Sequence, residues 1–420
     1  MLKTDVNRKI ERELLGLVAV TLIIGWTIVA SYTGLLTPLP LAGVLFGCCV
    51  IFVILHGLLR YLKHGGDPLL LPIAGMLAVI GLVFVSRLQP ALLLYQLTWF
   101  ATGAIGFAVI TCWLRKPEQL RLYKYLIGIC GLLLMLLTII FGVNIGGNKS
   151  WLVLGQLRFE PAEFAKILLV IFLAGYLEEK GKLLADSRWG TGKFTLPHPL
   201  HLGPMLVMWG IALILLVIEK DLGAALLYYS TFLTMLYMAS GRLFYVGLGS
   251  VLMVLGGWLS YHLFDHVRVR FDIWLNPWAE PEGIGYQIVQ SLFALGAGGI
   301  LGTGLSTGSP EFVPAVHTDF VFAAIGEELG LAGTLMILLL YVLLIYRGFR
   351  AAMLAKNEFC ALLAAGLSSL LAWQTFVIVG GVTKLVPLTG VTLPFISYGG
   401  SSMLASFIIL GLLHNISENG

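Results

Sequence analysis

Twelve apolar runs, each close to the roughly 20 residues that a helix needs to cross the hydrocarbon core of a bilayer, dominate this chain. They predict helices over Leu14–Leu35, Leu41–Leu62, Leu69–Val85, Leu92–Leu114, Tyr125–Phe141, Pro161–Leu177, Leu202–Ile218, Leu222–Ala239, Leu243–His262, Glu328–Tyr346, Phe359–Gly381 and Phe395–His414. Composition agrees: of 420 residues, 58% are hydrophobic and 11% charged, where a soluble domain carries about 25% charged residues. So few charges cannot cover a water-facing surface. The expected fold is an all-α polytopic integral membrane protein of about 12 transmembrane helices.

Charge placement orients the spans. With the N-terminus cytoplasmic, eighteen of the 26 Lys and Arg residues fall in connections on the cytoplasmic side, as the positive-inside rule asks. An even number of spans then puts both termini inside. The first apolar run is too long for a signal-peptide core and is kept as a span. The five cysteines, Cys48, Cys49, Cys112, Cys130 and Cys360, sit in apolar runs without metal-ligand spacing and read as small hydrophobes.

Eight cations remain on the outer side: Arg87, Lys149, Arg158, Lys166, Lys220, Arg268, Arg270 and Lys384. Ionisable groups at membrane depth need a partner or a purpose. Pairing with carboxylates such as Glu163 and Asp221 is one explanation; an anionic substrate is the other. Glu163 and Lys166 are three apart, a spacing that lets them pair on a helix.

The connections are short apart from the segment 264–327, which is unsuited to spanning and is expected as a large outer loop between helices 9 and 10. Trp274 and Trp278 suit the headgroup level. The glycines at 296–304 lack the Lys-Ser/Thr of a phosphate-binding loop and read as a turn that lets a surface helix fold back. No zinc spacing and no nucleophile elbow occur, and nothing points to nucleic acid. Pro387 and Pro394 bracket Thr389-Gly390, which predicts an irregular entry to the last helix, with Ser397, Tyr398, Ser401 and Ser402 offering hydroxyls to a cavity.

Four ordered blocks carry a resemblance. They are Lys149-Ser150-Trp151 through Glu163 to Lys166, then Asp221-Leu222-Gly223, then Asn276-Pro277 through Gly285-Tyr286-Gln287 to His317-Thr318-Asp319-Phe320 and Glu327-Glu328, and finally Pro387 to Ser402. The chain resembles the SEDS family of shape, elongation, division and sporulation proteins, which includes FtsW, RodA and SpoVE. The resemblance divides it into a two-helix N-terminal membrane extension, 1–66, and a ten-helix core, 67–420. Departures are Glu160 for a usual Gln, Glu219-Lys220 for Gln-Pro, Ala315 for Glu, and Arg87 where small residues are common. Asn276-Pro277-Trp278 and Thr392-Leu393-Pro394 lean toward the division type, FtsW.

The resemblance implies a peptidoglycan glycosyltransferase that polymerises lipid II, the undecaprenyl-pyrophosphate-linked disaccharide-peptide, at the outer face of the bacterial cytoplasmic membrane. It implies work beside a class B penicillin-binding protein, which would supply cross-linking. Glycosyl transfer asks for a base at the acceptor hydroxyl and for stabilisation of the departing pyrophosphate. By the resemblance Asp319 is the catalytic residue, either taking the acceptor proton or holding a divalent cation (Mg or Mn); no organic cofactor is implied. The residues alone also allow Asp319 as the N-cap of the following helix. Lys166, Lys384, Arg268 and Arg270, with His317 and Ser397, are candidate substrate-binding residues, and Glu163, Asp221, Trp151 and Glu327 candidate supporting ones. A precursor transporter (flippase) and a non-catalytic scaffold for a transpeptidase are the alternatives. Obvious inverted repeats are missing and the motifs concentrate on one face, which disfavours transport.

Overall fold

The computed structural model describes residues 2–33, 38–145, 148–155, 157–186 and 199–418. Its helices open with α1 (Leu2–Thr33), α2 (Pro38–Tyr61), α3 (Leu70–Leu88), α4 (Leu93–Trp113) and α5 (Lys124–Phe141). A small sheet follows, made of β1 (Val143–Ile145), β2 (Asn148–Leu154) and β3 (Leu157–Phe159). Then come α6 (Ala162–Asp186), α7 (Pro199–Ile218), α8 (Leu222–Ser240), α9 (Leu243–Leu263), α10 (Asp265–Leu275), α11 (Tyr286–Gly298), α12 (Val321–Leu354), α13 (Glu358–Val382) and α14 (Gly400–Glu418).

Each predicted apolar run overlaps one of these helices, with residues 395–399 of the last run lying ahead of α14, and α10 and α11 are the two additions. Among the described residues nine helices are long and apolar enough to cross a membrane, and α2 and α7 have shorter apolar stretches, Phe46–Tyr61 and Gly203–Ile218. The chain is an all-α, multi-pass membrane protein. Backbone amides have no water to bond in lipid, so the helix, which satisfies its own, is the available solution.

The chain divides into two compact units: Met1–Trp113, Ser260–Arg347 and Gln374–His414 form the first, and Leu114–Leu259, Gly348–Trp373 and Asn415–Gly420 the second. In the first, α3 is buried almost without break from Leu70 to Ser86, which suits a helix apolar on every face. The N-terminal helices pack onto it. Gly25 of α1 lies so close to Val83 that a Cβ there would sit 3.1 Å from the valine. In lipid, helices gain little from hiding apolar surface and hold together by close contact between such positions. The rings of Phe52 and Phe100, Phe100 and Phe407, and Phe395 and Phe407 meet edge-on at 5.6, 5.6 and 5.4 Å.

In the second unit, Trp209 stacks on Phe232 at 5.2 Å, and Tyr228 donates to the Ala162 carbonyl at 2.8 Å. The buried Lys124 ammonium reaches the Gly175 carbonyl at 3.2 Å and pairs with Glu179.

Three departures from expectation have local causes. Strands β1, β2 and β3 form an antiparallel sheet in which Val143 faces Trp151 and Leu152 faces Phe159; the apolar-polar pattern is too short to announce it. Helix α1 begins at Leu2, before its apolar run, across a charged stretch in which Arg8 pairs with Glu11, and α12 begins at Val321 because the uncharged residues 321–326 extend it ahead of Glu328. Finally, α12 breaks at Gly330 (φ 66°, ψ −167°), where a Cβ would lie 2.3 Å from the Gly302 nitrogen. Backbone meets backbone at the glycine-rich turn, so glycine is required there.

Candidate functional site

Asp319 lies in the first unit, on the non-helical stretch that leads into α12, outside the helix itself. No backbone N–H of α12 bonds its carboxylate among the described residues, so it does not act as the helix cap. The stretch is fastened to the irregular segment 383–399, which joins α13 to α14. Ser397 Oγ donates to the Thr318 carbonyl at 2.6 Å and accepts from the Leu393 amide at 2.9 Å. The Tyr398 amide donates to the His317 carbonyl at 2.9 Å, and the two rings lie 5.9 Å apart. Gln96 of α4 donates to the Ser397 carbonyl at 3.3 Å.

These bonds bring Thr389-Gly390 over the carboxylate. A Cβ on Gly390, which has φ 74°, would lie 3.6 Å from Asp319 Oδ2. Arg270 of α10 donates from Nη1 to the Thr389 carbonyl at 3.2 Å, which keeps its guanidinium by the site. Burial pushes the Asp319 carboxyl up to about 6, against the lowering influence of the Thr318 hydroxyl and the Arg270 charge. Burial also holds the His317 imidazole below its ordinary value, so it is neutral at pH 7. The result is a carboxylate suited to accepting a proton near neutral pH, next to a fixed cation and an unencumbered glycine.

The other predicted residues have local partners in this structure. The Ser397 hydroxyl is engaged on both sides by backbone and buried, so it positions the Asp319 stretch instead of opening toward a cavity. Lys384, at φ 62°, accepts the Trp274 indole N–H on its carbonyl at 3.1 Å, and its ammonium lies 3.5 Å from the Leu275 carbonyl. It anchors the end of α10. Arg268 is exposed and rests over the Tyr261 ring at 5.7 Å. Glu327 accepts the Ser309 amide at 2.7 Å, while its neighbour Glu328 meets Arg87 Nε at 3.2 Å; together they hold the glycine-rich turn against α12.

Lys166, Glu163, Asp221 and Trp151 belong to the second unit. Lys166 pairs with Glu163 at 2.7 Å, both buried, and Trp151 sits on β2. Asp221 is the N-cap of α8, its Oδ1 accepting from the Ala224 amide at 2.9 Å. Beside it, Glu219 is buried, accepts from the Thr138 hydroxyl, and leaves Oε2 without a partner among the described residues. Burial, with the Asp221 charge adding to it, pushes this carboxyl up to about 7 despite the Thr138 bond.

Two groups escape a reading of the sequence. The Thr389 hydroxyl and Gln96 Oε1 are buried without partners among the described residues, the first next to the Asp319 stretch and the second on the residue that holds Ser397. No sequence signal marks them, because packing alone places them. The donor set does not make a metal cage: among the described residues no three His, Cys, Asp or Glu side chains gather, and the nearest charge to Asp319 is a guanidinium.

A multi-pass helical membrane protein whose loop carboxylate is tied to a broken entry helix defines the class. The chain belongs to the FtsW/RodA/SpoVE family of cell cycle proteins, whose model matches residues 68–420. Peptidoglycan glycosyltransferase RodA of Mycobacterium tuberculosis (strain ATCC 25618 / H37Rv) is 44% identical over 377 residues, covering 86% of this chain and 80% of RodA. Probable peptidoglycan glycosyltransferase FtsW of Geobacter metallireducens is 38% identical over 307 residues, 71% of this chain and 78% of that protein. These values run against the lean toward FtsW taken from the two tripeptides. A chain from a peptidoglycan synthase complex, solved to describe the structural coordination of polymerization and crosslinking, superposes with a TM-score of 0.70 at 27% identity, covering 84% of this chain and 97% of that one.

Proposed function

We propose that this protein is a peptidoglycan glycosyltransferase that polymerises lipid II at the outer face of the bacterial cytoplasmic membrane, with both termini cytoplasmic. The observation that carries the reading is the Asp319 carboxylate, held outside the spans beneath Gly390 with the Arg270 guanidinium beside it. The names of the relatives and the positive-inside bias support it.

In this reading Asp319, ionised above about pH 6, takes the proton of the acceptor sugar hydroxyl as that oxygen attacks the anomeric carbon. The bond to the lipid pyrophosphate breaks, and Arg270 offsets the negative charge that leaves. A class B penicillin-binding protein is the proposed partner, in line with the synthase complex to which the fold is similar.

The test is glycan-ladder formation from labelled lipid II by the purified protein, with and without its transpeptidase, comparing wild type with Asp319→Asn. A ladder from the variant equal to wild type removes Asp319 from catalysis. A ladder from neither, in the presence of the partner, removes the enzyme reading itself.

A further inference from the structure

The two N-terminal helices lie before the family match at 68–420, and the proposed chemistry makes no use of them. Their charged ends enclose an open cavity of about 420 Å³ lined by Asp5, Arg8, Lys9, Arg12, His56 and Arg60. A cavity of that size holds a small-molecule headgroup. It contains four permanent cations against one carboxylate.

The floor is rigid. Buried Glu11 pairs with Arg8, an i,i+3 neighbour on α1, and meets His56 Nδ1 of α2 at 2.7 Å. Arg8 Nη2 also donates to the Gly66 carbonyl at 2.9 Å, across the turn that leads to α3. Glu11 is thereby consumed by the scaffold and does not neutralise the rest. Lys9, Arg12 and Arg60 are exposed, and no carboxylate among the described residues pairs with them. Arg8 Nε is buried with no acceptor among the described residues, a donor that calls for one.

The surroundings say which kind of anion. Val6 and Ile10 of α1 and Tyr61 of α2, next in sequence to lining residues, are 55%, 39% and 84% exposed, so exposed apolar side chains lie on the same helix turns as the basic ones. Further along the same helices Leu17, Val53 and Ile54 are exposed as well, where acyl chains would run. A soluble anion has no use for such a border, whereas a phospholipid needs both parts. Basic pockets at the cytoplasmic ends of membrane helices recognise anionic headgroups in this way.

We propose that this cavity is a binding site for the phosphate of an anionic phospholipid of the inner leaflet. The proposal rests on the reading above for its sidedness alone, since headgroup recognition needs no glycosyl transfer.

The experiment is native mass spectrometry and thermal melting of the full-length protein in detergent, titrated with cardiolipin, phosphatidylglycerol or phosphatidylcholine of matched chains, and separately with inorganic phosphate. Wild type is expected to prefer the anionic lipids roughly tenfold or more, since each cation near the surface adds to the attraction. The triple variant Lys9→Ala, Arg12→Ala, Arg60→Ala alters exposed side chains, keeps the Arg8–Glu11–His56 floor, and is expected to bring the preference within about twofold. A control triple, Lys116→Ala, Arg350→Ala, Lys356→Ala, removes equal charge elsewhere and is expected to leave the preference intact. Arg12→Lys with Arg60→Lys is expected to bind as wild type does. Equal loss in both triples, equal affinity for phosphatidylcholine, or full displacement of lipid by millimolar inorganic phosphate each overturns the proposal. Anionic-lipid binding by a protein that makes no glycan from lipid II overturns the enzyme reading and leaves this one standing.

Discussion

Ser397 and Thr318 are joined by a 2.6 Å hydrogen bond from hydroxyl to carbonyl, one residue before Asp319. Because the same hydroxyl accepts from the Leu393 amide, one side chain locks the Asp319 stretch to the turn preceding α14. Ser397→Ala leaves a buried carbonyl and a buried amide unpaired, at about 1–3 kcal/mol. The expected outcome is a lower melting temperature together with slower ladder formation, as Asp319 loses its placement. Unchanged polymerisation in a variant with lowered melting temperature would separate the two roles.

Asp319→Asn is expected to abolish polymerisation while the protein remains folded. For wild type, the raised carboxyl pKa sets the pH profile. Below about 6 the acid is protonated and cannot accept a proton, so the rate falls about tenfold per pH unit and reaches a plateau above pH 7. Initial rates between pH 5 and 8 check this; a flat profile removes Asp319 as the base.

Arg270 lowers the Asp319 pKa and is held by the Thr389 carbonyl. Arg270→Ala is expected to move the acidic limb above pH 6 and to reduce the plateau. Arg270→Lys keeps the charge but not the planar donor set, so it restores the limb more fully than the plateau. The pH profiles of the two variants distinguish charge from geometry.

Arg87 and Glu328 form a pair whose side chains are 16% and 0% exposed. Arg87→Ala strands the buried carboxylate and is expected to cost about 3–5 kcal/mol. Arg87→Met with Glu328→Gln removes both charges and is expected to recover most of that loss. A double-mutant cycle by denaturation measures the coupling.

Glu219 has a folded-state pKa of about 7 against an ordinary 4.5. The fold therefore binds this proton more tightly than the unfolded chain does, and stability falls as pH rises through 4.5 to 7. Glu219→Gln keeps a partner for Thr138 without the charge, and is expected to raise the melting temperature at pH 8 while matching wild type near pH 4. Melting curves at the two pH values check it.

The position of Asp319 is legible in the amino-acid sequence, because the His317-Thr318-Asp319-Phe320 block sits in a segment that cannot span a membrane. Its environment is not. Arg270 lies 49 positions away on α10 and Gly390 71 positions away in the opposite direction, and only packing brings them to one carboxylate. For Asp221 and Lys166 the sequence leaves substrate and structural roles open; the cap on α8 and the pair with Glu163 give each a local partner. The sequence puts Ser397 beside the Asp319 stretch but does not show its two backbone bonds, since it cannot say which backbone groups will need a hydroxyl.

By itself the sequence determined that the chain is a multi-pass helical membrane protein and roughly where each apolar helix lies, because the bilayer admits only long apolar segments that satisfy their own backbone. Tertiary structure alone decided which polar groups are buried, which cations pair, and which are left open, as in the basic cavity between α1 and α2. Those outcomes depend on contacts between residues far apart in the chain, and distance along a chain carries no record of them.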